Sequence, residues 1–231
     1  MYFDPLYLLF SIPGLLLSMF ASFYVKSTFS KYSKVRTYAG LTGAQAAQQM
    51  LAAAGINDVR IERVGGFLSD HYDPSAKTLR LSPDVYGSQS VSAIGVACHE
   101  AGHAIQHATH YSPLWLRSVL VMPANIGSRF SYLIIALGAL MQTSFLVNLG
   151  LILFSLAVLF TIVTLPVEWD ASSRAKTVIR TAGFVSPQEH SAACSVLNAA
   201  FLTYVAAAAS AIMTLLYYLV RLGIIGGRRS D

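Results

Sequence analysis

The chain has 231 residues, of which 55% are hydrophobic and 12% are charged, and its formal net charge is +5. This composition excludes an ordinary soluble globular protein and indicates that much of the chain lies in a membrane. The basic residues flank apolar segments without forming a dense patch with interleaved aromatic residues, so we expect no nucleic-acid partner. The two cysteines, Cys98 and Cys194, give no disulfide framework, which favours a reducing compartment.

The first apolar segment, residues 6–25, contains no charged residue and is long enough to cross a bilayer. Asp4 precedes this segment, and a basic cluster that begins with Lys26 follows it. A cleaved signal peptide would instead carry its positive charge before the apolar stretch. Residues 1–25 are therefore predicted to be an uncleaved transmembrane anchor with its N-terminus outside.

Residues 26–112 are polar enough for a small α+β domain outside the membrane. Its first helix is predicted over residues 44–54, with Thr42 and Gln45 forming a capping box. Two short segments of alternating polarity, 59–62 and 78–81, predict β-strands. The Gly- and Asp-rich stretch between them predicts either a hairpin or two strands joined by a long irregular loop.

A further helix is predicted over residues 89–107, and it contains the motif His99-Glu-Ala-Gly-His103. Positions four apart lie on one face of a helix, so His99 and His103 can direct two imidazole nitrogens at a single ion. Glu100 lies beside that ion, where a carboxylate can take a proton from a metal-bound water. Because the surrounding residues are almost all apolar, these polar side chains need partners. The motif predicts a catalytic zinc site.

Residues 113–165 form an apolar segment that is too long for one crossing. We divide it into crossings at 120–141 and 145–165, joined by a tight turn. An alternative places residues 114–128 along the membrane interface and shortens the second crossing. Arg129 lies inside that crossing and is expected to face protein or water, because a charge in lipid is costly.

The remaining chain is predicted to leave the membrane and then cross it once more. Residues 166–198 contain a short helix that ends near Thr181 and a second helix start at Ser186. Residues 199–231 contain the fourth crossing and a basic tail. Four crossings place segments 26–112 and 166–198 on one side, and their excess of Lys and Arg predicts that this side is cytoplasmic.

Catalytic zinc sites use three protein ligands, so the motif needs one more. His107 is an unsuitable third ligand because it lies about 12 Å from His99 along the helix axis. His110 would need the chain to turn at a glycine, but Gln106 occupies that position. The third ligand is therefore expected from another segment.

Glu168 is the expected third ligand, because it follows an apolar crossing on the same predicted side as the metal helix. Asp170 is expected either to pair with Arg174, four residues on, or to accept a hydrogen bond from a ligating histidine. Glu189 already has a predicted capping role at the start of the next helix.

Several longer motifs occur in one order along nearly the whole chain. They are Gly40-Leu-Thr-Gly43, Leu68-Ser-Asp-His-Tyr-Asp-Pro74, Lys77-Thr-Leu-Arg-Leu-Ser82, His99-Glu-Ala-Gly-His-Ala-Ile-Gln-His107 and Leu165-Pro-Val-Glu-Trp-Asp-Ala-Ser172. In these motifs the chain resembles the YugP-type bacterial membrane zinc metallopeptidases. More distantly, it is similar to the HtpX and CAAX-processing membrane proteases, which are gluzincins.

This resemblance implies that His99, His103 and Glu168 bind one catalytic Zn²⁺ and that Glu100 is the catalytic base. The distant families place an Asp four residues after the third-ligand Glu, whereas Ser172 stands there in this chain. The role of that Asp, which is to hold a ligating residue in place, is expected either to pass to Asp170 or to be absent.

Together these features predict a mainly α integral membrane protein with about four transmembrane helices and a small α+β zinc-peptidase domain at the membrane face. The expected function is a zinc-dependent metalloendopeptidase of the cell (inner) membrane, in which Glu100 assists the attack of zinc-bound water on peptide bonds. The expected substrates are membrane or misfolded proteins. His71 or Tyr72 is expected either to stabilise the oxyanion or to have only a turn role.

Two rival functions belong to other classes. The first is a non-catalytic, zinc-stabilised membrane scaffold or adaptor in membrane-protein quality control. A fourth protein ligand, such as His71 or His190, would favour it because structural zinc sites are closed. The second is a transporter, motivated by Asn125 and Arg129 in an apolar segment.

Overall fold

The protein is described by a computed structural model over residues 4–226. Its elements follow each other as α1 (Pro5–Tyr32), α2 (Gly43–Ala53), β1 (Arg60–Arg63), β2 (His71–Asp73), β3 (Thr78–Leu81), α3 (Pro83–Tyr86), α4 (Val91–Ala108), α5 (Ser112–Leu140), α6 (Ser144–Thr181) and α7 (Pro187–Arg221). Within the described residues, four helices, α1, α5, α6 and α7, are long and apolar enough to cross a membrane. The predicted mainly α architecture, with four such helices and a small sheet, is confirmed.

The chain divides into two compact units. We call the first the helical unit; it contains Met1–Ala21, Leu116–Leu165 and Thr203–Asp231. We call the second the sheet unit; it contains Ser22–Trp115 and Pro166–Leu202. Each of the four long helices contributes residues to both units.

The sheet of the sheet unit has the order β1-β3-β2, with β1 parallel and β2 antiparallel to β3. The predicted strands at 59–62 and 78–81 correspond to β1 and β3, but the hairpin alternative is wrong because these two strands run parallel. The stretch between them contains β2, which was not predicted as a strand. Asp73 ends β2 and accepts backbone hydrogen bonds from Ser75 and Ala76 at 3.0 and 3.2 Å, which makes the tight turn into β3.

Helix α4 lies in the core of the sheet unit. Its N-cap is Ser90, whose side chain accepts from the backbone N–H of Ala93. Buried residues from several other elements surround it, among them Met50, Leu79, Ile179 and Leu197. The predicted capping box of α2 is also present, with Thr42 and Gln45 each bonded to the backbone of the other. Packing on all sides therefore fixes the helix that carries the His-Glu-x-x-His motif.

The long helices differ from the predicted ones mainly in their continuity. Helix α6 runs unbroken through Pro166, where a crossing and a separate short helix were expected. A proline removes one intrahelical hydrogen bond, but neighbouring groups in a membrane bundle compensate for this more readily than in an isolated helix. Likewise, α5 begins at Ser112, so residues 114–128 belong to the same helix as the second crossing.

The helices of the helical unit pack through small residues. A Cβ added at Gly127 of α5 would lie 2.1 Å from the carbonyl oxygen of Leu153 in α6. In the same unit, Ser210 of α7 donates to the carbonyl oxygen of Gly14 in α1 at 2.9 Å. Small side chains let the helix backbones approach closely, and van der Waals packing together with interhelical hydrogen bonds drives the association of helices in lipid.

Candidate metal centre

Helices α4 and α6 bring three predicted ligands together inside the sheet unit. The Nε2 atoms of His99 and His103 lie 3.1 and 3.5 Å from Oε2 of Glu168. One potential ligand atom from each residue lies within 4.8 Å of the others. Glu168 is 1% exposed and His103 is 8% exposed, so water screens this cluster poorly.

A glycine allows the two helices to meet at this point. Gly102 lies next to His103, and a Cβ on it would lie 2.7 Å from the carbonyl oxygen of Ala171. Real Cβ atoms essentially never make so short a contact, so any larger residue would move α4 away from α6. The glycine inside the motif therefore sets the separation between the histidines and Glu168.

The second ring nitrogen of His103 is held by Gln106. Nδ1 of His103 lies 3.0 Å from Oε1 of Gln106, and Nε2 of Gln106 donates to the carbonyl oxygen of Val167 and to Asp170 at 2.8 and 2.9 Å. Those two donations fix the amide orientation, so Oε1 must accept from the ring. Nδ1 then carries the hydrogen in the neutral ring, and the lone pair of Nε2 faces Glu168.

The corresponding partner of His99 is Ser172, whose Oγ lies 3.0 Å from Nδ1. The sequence predicts that the role of the missing Asp passes to Asp170 or is absent, whereas in the structure Ser172, which stands in its place, lies against the ring itself. A serine hydroxyl rotates to accept the ring hydrogen, so it can replace a carboxylate here. Asp170 instead accepts from Arg174 Nε at 2.6 Å and from Gln106, and it thus reaches His103 only through Gln106.

The donor set fits a zinc ion. Two imidazole lone pairs and one carboxylate oxygen converge, and these are ordinary zinc ligands. Three acceptors in a buried space repel one another unless a positive charge lies between them. The pKa of His103 also shows that this space favours a positive charge. Burial lowers it, but the hydrogen bond to Glu168 and the charges of Glu100 and Glu168 outweigh that effect and raise the pKa above the ordinary value.

Glu100 differs from the other polar residues at the centre. It is half-buried, and its side chain forms no hydrogen bond or ion pair within residues 4–226. Its charge acts on the nearby carboxyl of Asp70, whose pKa is raised mainly by burial and further by Glu100. Asp70 also accepts hydrogen bonds from the backbone N–H and the hydroxyl of Ser82, at 2.7 and 3.0 Å. Glu100 thus keeps its carboxylate oxygens available for a water molecule.

The other histidines near the motif have contacts of their own. His71 is exposed, with Nδ1 2.8 Å from the carbonyl oxygen of Ser69, and the hydroxyl of Tyr72 bonds to Nδ1 of His107 at 2.9 Å. His110 has a φ of 51° and turns the chain after α4. The oxyanion role of His71 or Tyr72 stays a prediction.

Sequence reasoning missed the role of Gln106, although one signal was available. Gln106 lies three residues after His103, which places the two side chains on one helical face. It also stands in an apolar stretch, where a polar side chain needs a partner. Its two partners on α6, Val167 and Asp170, depend on the tertiary packing and have no counterpart in the motif itself.

The chain is similar to known proteins over nearly its whole length. The family described as "Putative neutral zinc metallopeptidase" matches residues 7–223. The chain belongs to this family. A curated relative, the "Putative membrane protease YugP" of Bacillus subtilis (strain 168), is 46% identical over 215 residues, which cover 93% of this chain and 96% of the relative. No solved structure matches significantly. The predicted resemblance to the YugP-type membrane peptidases is confirmed.

Proposed function

We propose that the protein is a membrane-embedded, zinc-dependent metalloendopeptidase that acts on membrane or misfolded proteins. The observation that carries this proposal is the buried convergence of His99, His103 and Glu168, with Glu100 next to the first histidine. Membership of a zinc metallopeptidase family supports it. In this proposal His99, His103 and Glu168 hold one Zn²⁺, and Glu100 is the catalytic residue.

The number of ligands favours catalysis over a structural role. Within residues 4–226, the group of potential ligand atoms contains His99, His103 and Glu168 and no fourth His, Cys, Asp or Glu. Catalytic zinc sites have three protein ligands and one open position, whereas structural sites are closed by four. His190, a candidate fourth ligand, instead has its Nε2 3.0 Å from the carbonyl oxygen of Lys176. The scaffold alternative therefore has no specific observation in its favour.

Each residue of the proposed site has a different role in peptide hydrolysis. A zinc ion, when bound, acts as a Lewis acid that lowers the pKa of a coordinated water to about 7 and polarises a carbonyl group. Glu100 accepts a proton from the attacking water and then donates it to the departing amine. Gln106 and Ser172 bond Nδ1 of the two imidazole rings and hold both rings with Nε2 facing Glu168.

The membrane location has its own support. Four helices within residues 4–226 are apolar enough to cross a membrane, and the relative bears the name "Putative membrane protease YugP". We place the sheet unit on the cytoplasmic side of the cell membrane, because Lys and Arg are concentrated in residues 26–112 and 166–198. Substrates then reach Glu100 from the cytosol or from the cytoplasmic leaflet.

Metal analysis of the purified full-length chain tests the ligand assignment. We expect about one zinc per chain in the wild type and a loss of most of it in His103→Ala and Glu168→Ala, because two ligands hold zinc weakly. Ser92→Ala is the matched control, since Ser92 is a buried residue of the same helix that bonds the carbonyl oxygen of Phe29. Full zinc content in Glu168→Ala would show that Glu168 is not a ligand.

A further inference from the structure

One charge in the helical unit has no role at the metal centre or in helix packing. Arg129 lies on α5, a helix long and apolar enough to cross a membrane. The part of α5 in the helical unit is Leu116–Leu140, and Arg129 lies near its middle. At 1.5 Å per residue, Arg129 is about 14 to 18 Å from either end of the expected crossing at 120–141, which is farther than a long side chain reaches toward the interface.

Arg129 points away from the neighbouring helix. The buried face of α5 consists of Leu120, Ala124, Gly127, Ser131, Ile135 and Gly138. Gly127 makes the close contact with Leu153 of α6, and Arg129 lies on the opposite side of α5 at 100° per residue. Arg129 is exposed there between Ile126 and Leu133, which are 46% and 56% exposed.

We call this outward surface the Arg129 face; it contains Met122, Asn125, Ile126, Arg129 and Leu133. Asn125 is exposed on it, one turn before Arg129. Within residues 4–226, Arg129 forms no ion pair and its side chain has no hydrogen bond. An unpaired guanidinium facing hydrocarbon is costly, so it requires a partner at its own depth. Residues 4–226 do not supply that partner.

The described residues of a second copy do not supply the complementary charge at the depth of Arg129. In the described part of the helical unit, the only carboxylate is that of Asp4, at the start of α1. Asp4 accepts a hydrogen bond from the Tyr217 hydroxyl at 2.9 Å and lies 3.5 Å from Arg221. A carboxylate at the depth of Arg129 must therefore come from a different polypeptide.

We propose that the Arg129 face is a docking site, within the membrane, for a transmembrane helix of another protein that carries an Asp or Glu at the same depth. The guanidinium binds such a carboxylate through two parallel N–H···O hydrogen bonds, which are strong where water is excluded. Asn125 offers a further donor one turn away, and Met122, Ile126 and Leu133 pack against the apolar surface of the incoming helix. This inference does not depend on the proposed peptidase activity.

Energy transfer in vesicles tests the proposal with a defined probe. The full chain, labelled with a donor, is reconstituted into phosphatidylcholine vesicles with an acceptor-labelled polyleucine transmembrane peptide that has one Glu at its centre. The matched probe has Gln in place of Glu. We expect the Glu peptide to bind on the order of tenfold more tightly than the Gln peptide. Arg129→Leu and Arg129→Gln should abolish this preference, whereas Arg129→Lys should retain most of it.

Asn148→Leu is the control variant, because it removes another exposed polar side chain, from α6 in the same unit. It should keep the preference for the Glu peptide. Equal binding of the two peptides by the wild type would overturn the proposal, as would an unchanged preference in both Arg129→Leu and Arg129→Gln. Energy transfer between two labelled copies of the chain that disappears in Arg129→Leu would also overturn it, because the occupant would then be a second copy.

Discussion

At the scale of single residues, Gln106 determines which nitrogen of His103 is available to a metal. The amide Nε2 donates hydrogen bonds to Val167 and Asp170 on α6, which fixes the orientation of the amide. Its Oε1 atom then accepts the hydrogen bond from the ring of His103. Gln106 is completely buried, so water cannot replace it as a partner for Nδ1. It is a positioning residue and does not contact a substrate.

We predict that Gln106→Met weakens zinc binding by about 10- to 100-fold, the usual effect of removing a partner of a ligating histidine. Methionine has nearly the same length but offers no acceptor to Nδ1 of His103. Competition with a calibrated chelator measures the affinity. Gln106→Glu restores an acceptor and should recover part of the loss, which a purely structural role would not produce. Unchanged affinity in Gln106→Met would refute the role of the amide.

The sequence was sufficient to predict the three residues of the centre that lie close together on one helix, and also Glu168. His99, Glu100 and His103 lie in a five-residue motif, and Glu168 was inferred from its place after an apolar crossing. The structure brings His99, His103 and Glu168 within reach of one ion. The contact of Ser172 with His99 was not predicted, because it depends on how α6 is rotated against α4 and periodicity does not give that rotation.

At the scale of elements, the contact between α4 and α6 assembles the centre. Two of the proposed ligands lie on α4 and one lies on α6, so their separation follows the distance between the helices. Gly102 allows the closest approach, where an added Cβ would meet the backbone of Ala171. By contrast, an added Cβ at Gly95 on the same helix would meet Ala193 only at 3.9 Å, an ordinary contact.

We predict that Gly102→Ala lowers the stability of the fold by about 1 to 3 kcal/mol, the usual cost of overpacking. It should also weaken zinc binding by at least about tenfold, because the helices separate where the ligands meet. Gly95→Ala is the matched control and should be neutral or up to about 1 kcal/mol more stable, since alanine favours a helix. Chemical denaturation and zinc titration measure both effects. Equal zinc affinity of the two variants would contradict this account of the helix contact.

The prediction of helices and strands was wrong where contacts between residues far apart in the sequence determine the structure. The capping boxes at Thr42 and Ser186 were predicted correctly because each involves residues three apart. Strand β2 was missed because its residues resemble a turn, and its pairing with β3 is what makes it a strand. Helix α6 was divided at Pro166 because proline has a low helix propensity. In a membrane bundle an uninterrupted helix is favoured, because it satisfies the backbone hydrogen bonds and neighbouring groups compensate for the one that proline removes.

At the scale of the whole molecule, the side of the membrane that holds the sheet unit decides which substrates can reach it. The sequence predicted four crossings from apolar length, and four helices of the described residues satisfy that criterion. The side was inferred from the distribution of Lys and Arg alone. It stays a prediction because packing within the protein does not depend on which side is cytoplasmic.

We predict that Tyr38→Cys reacts with a membrane-impermeant maleimide only after cells are permeabilised. Tyr38 is 87% exposed in the sheet unit and thus reports the side on which that unit lies. Met141→Cys is the control, since residue 141 is 64% exposed between α5 and α6 and is predicted to face outside. Both variants carry Cys194→Ala, while Cys98 is buried and stays. Labelling of Tyr38→Cys in intact cells would reverse the predicted orientation.

In the proposed mechanism, Glu100 is the base for peptide hydrolysis at a metal that His99, His103 and Glu168 hold. Glu100→Gln keeps the shape of the side chain but removes the base, so cleavage of an unfolded membrane protein by the purified chain in vesicles should fall by about 10²- to 10⁴-fold. Zinc content should stay equal to that of the wild type, because Glu100 is not one of the three clustered residues. Cleavage at the wild-type rate by a fully zinc-loaded Glu100→Gln protein would contradict the account.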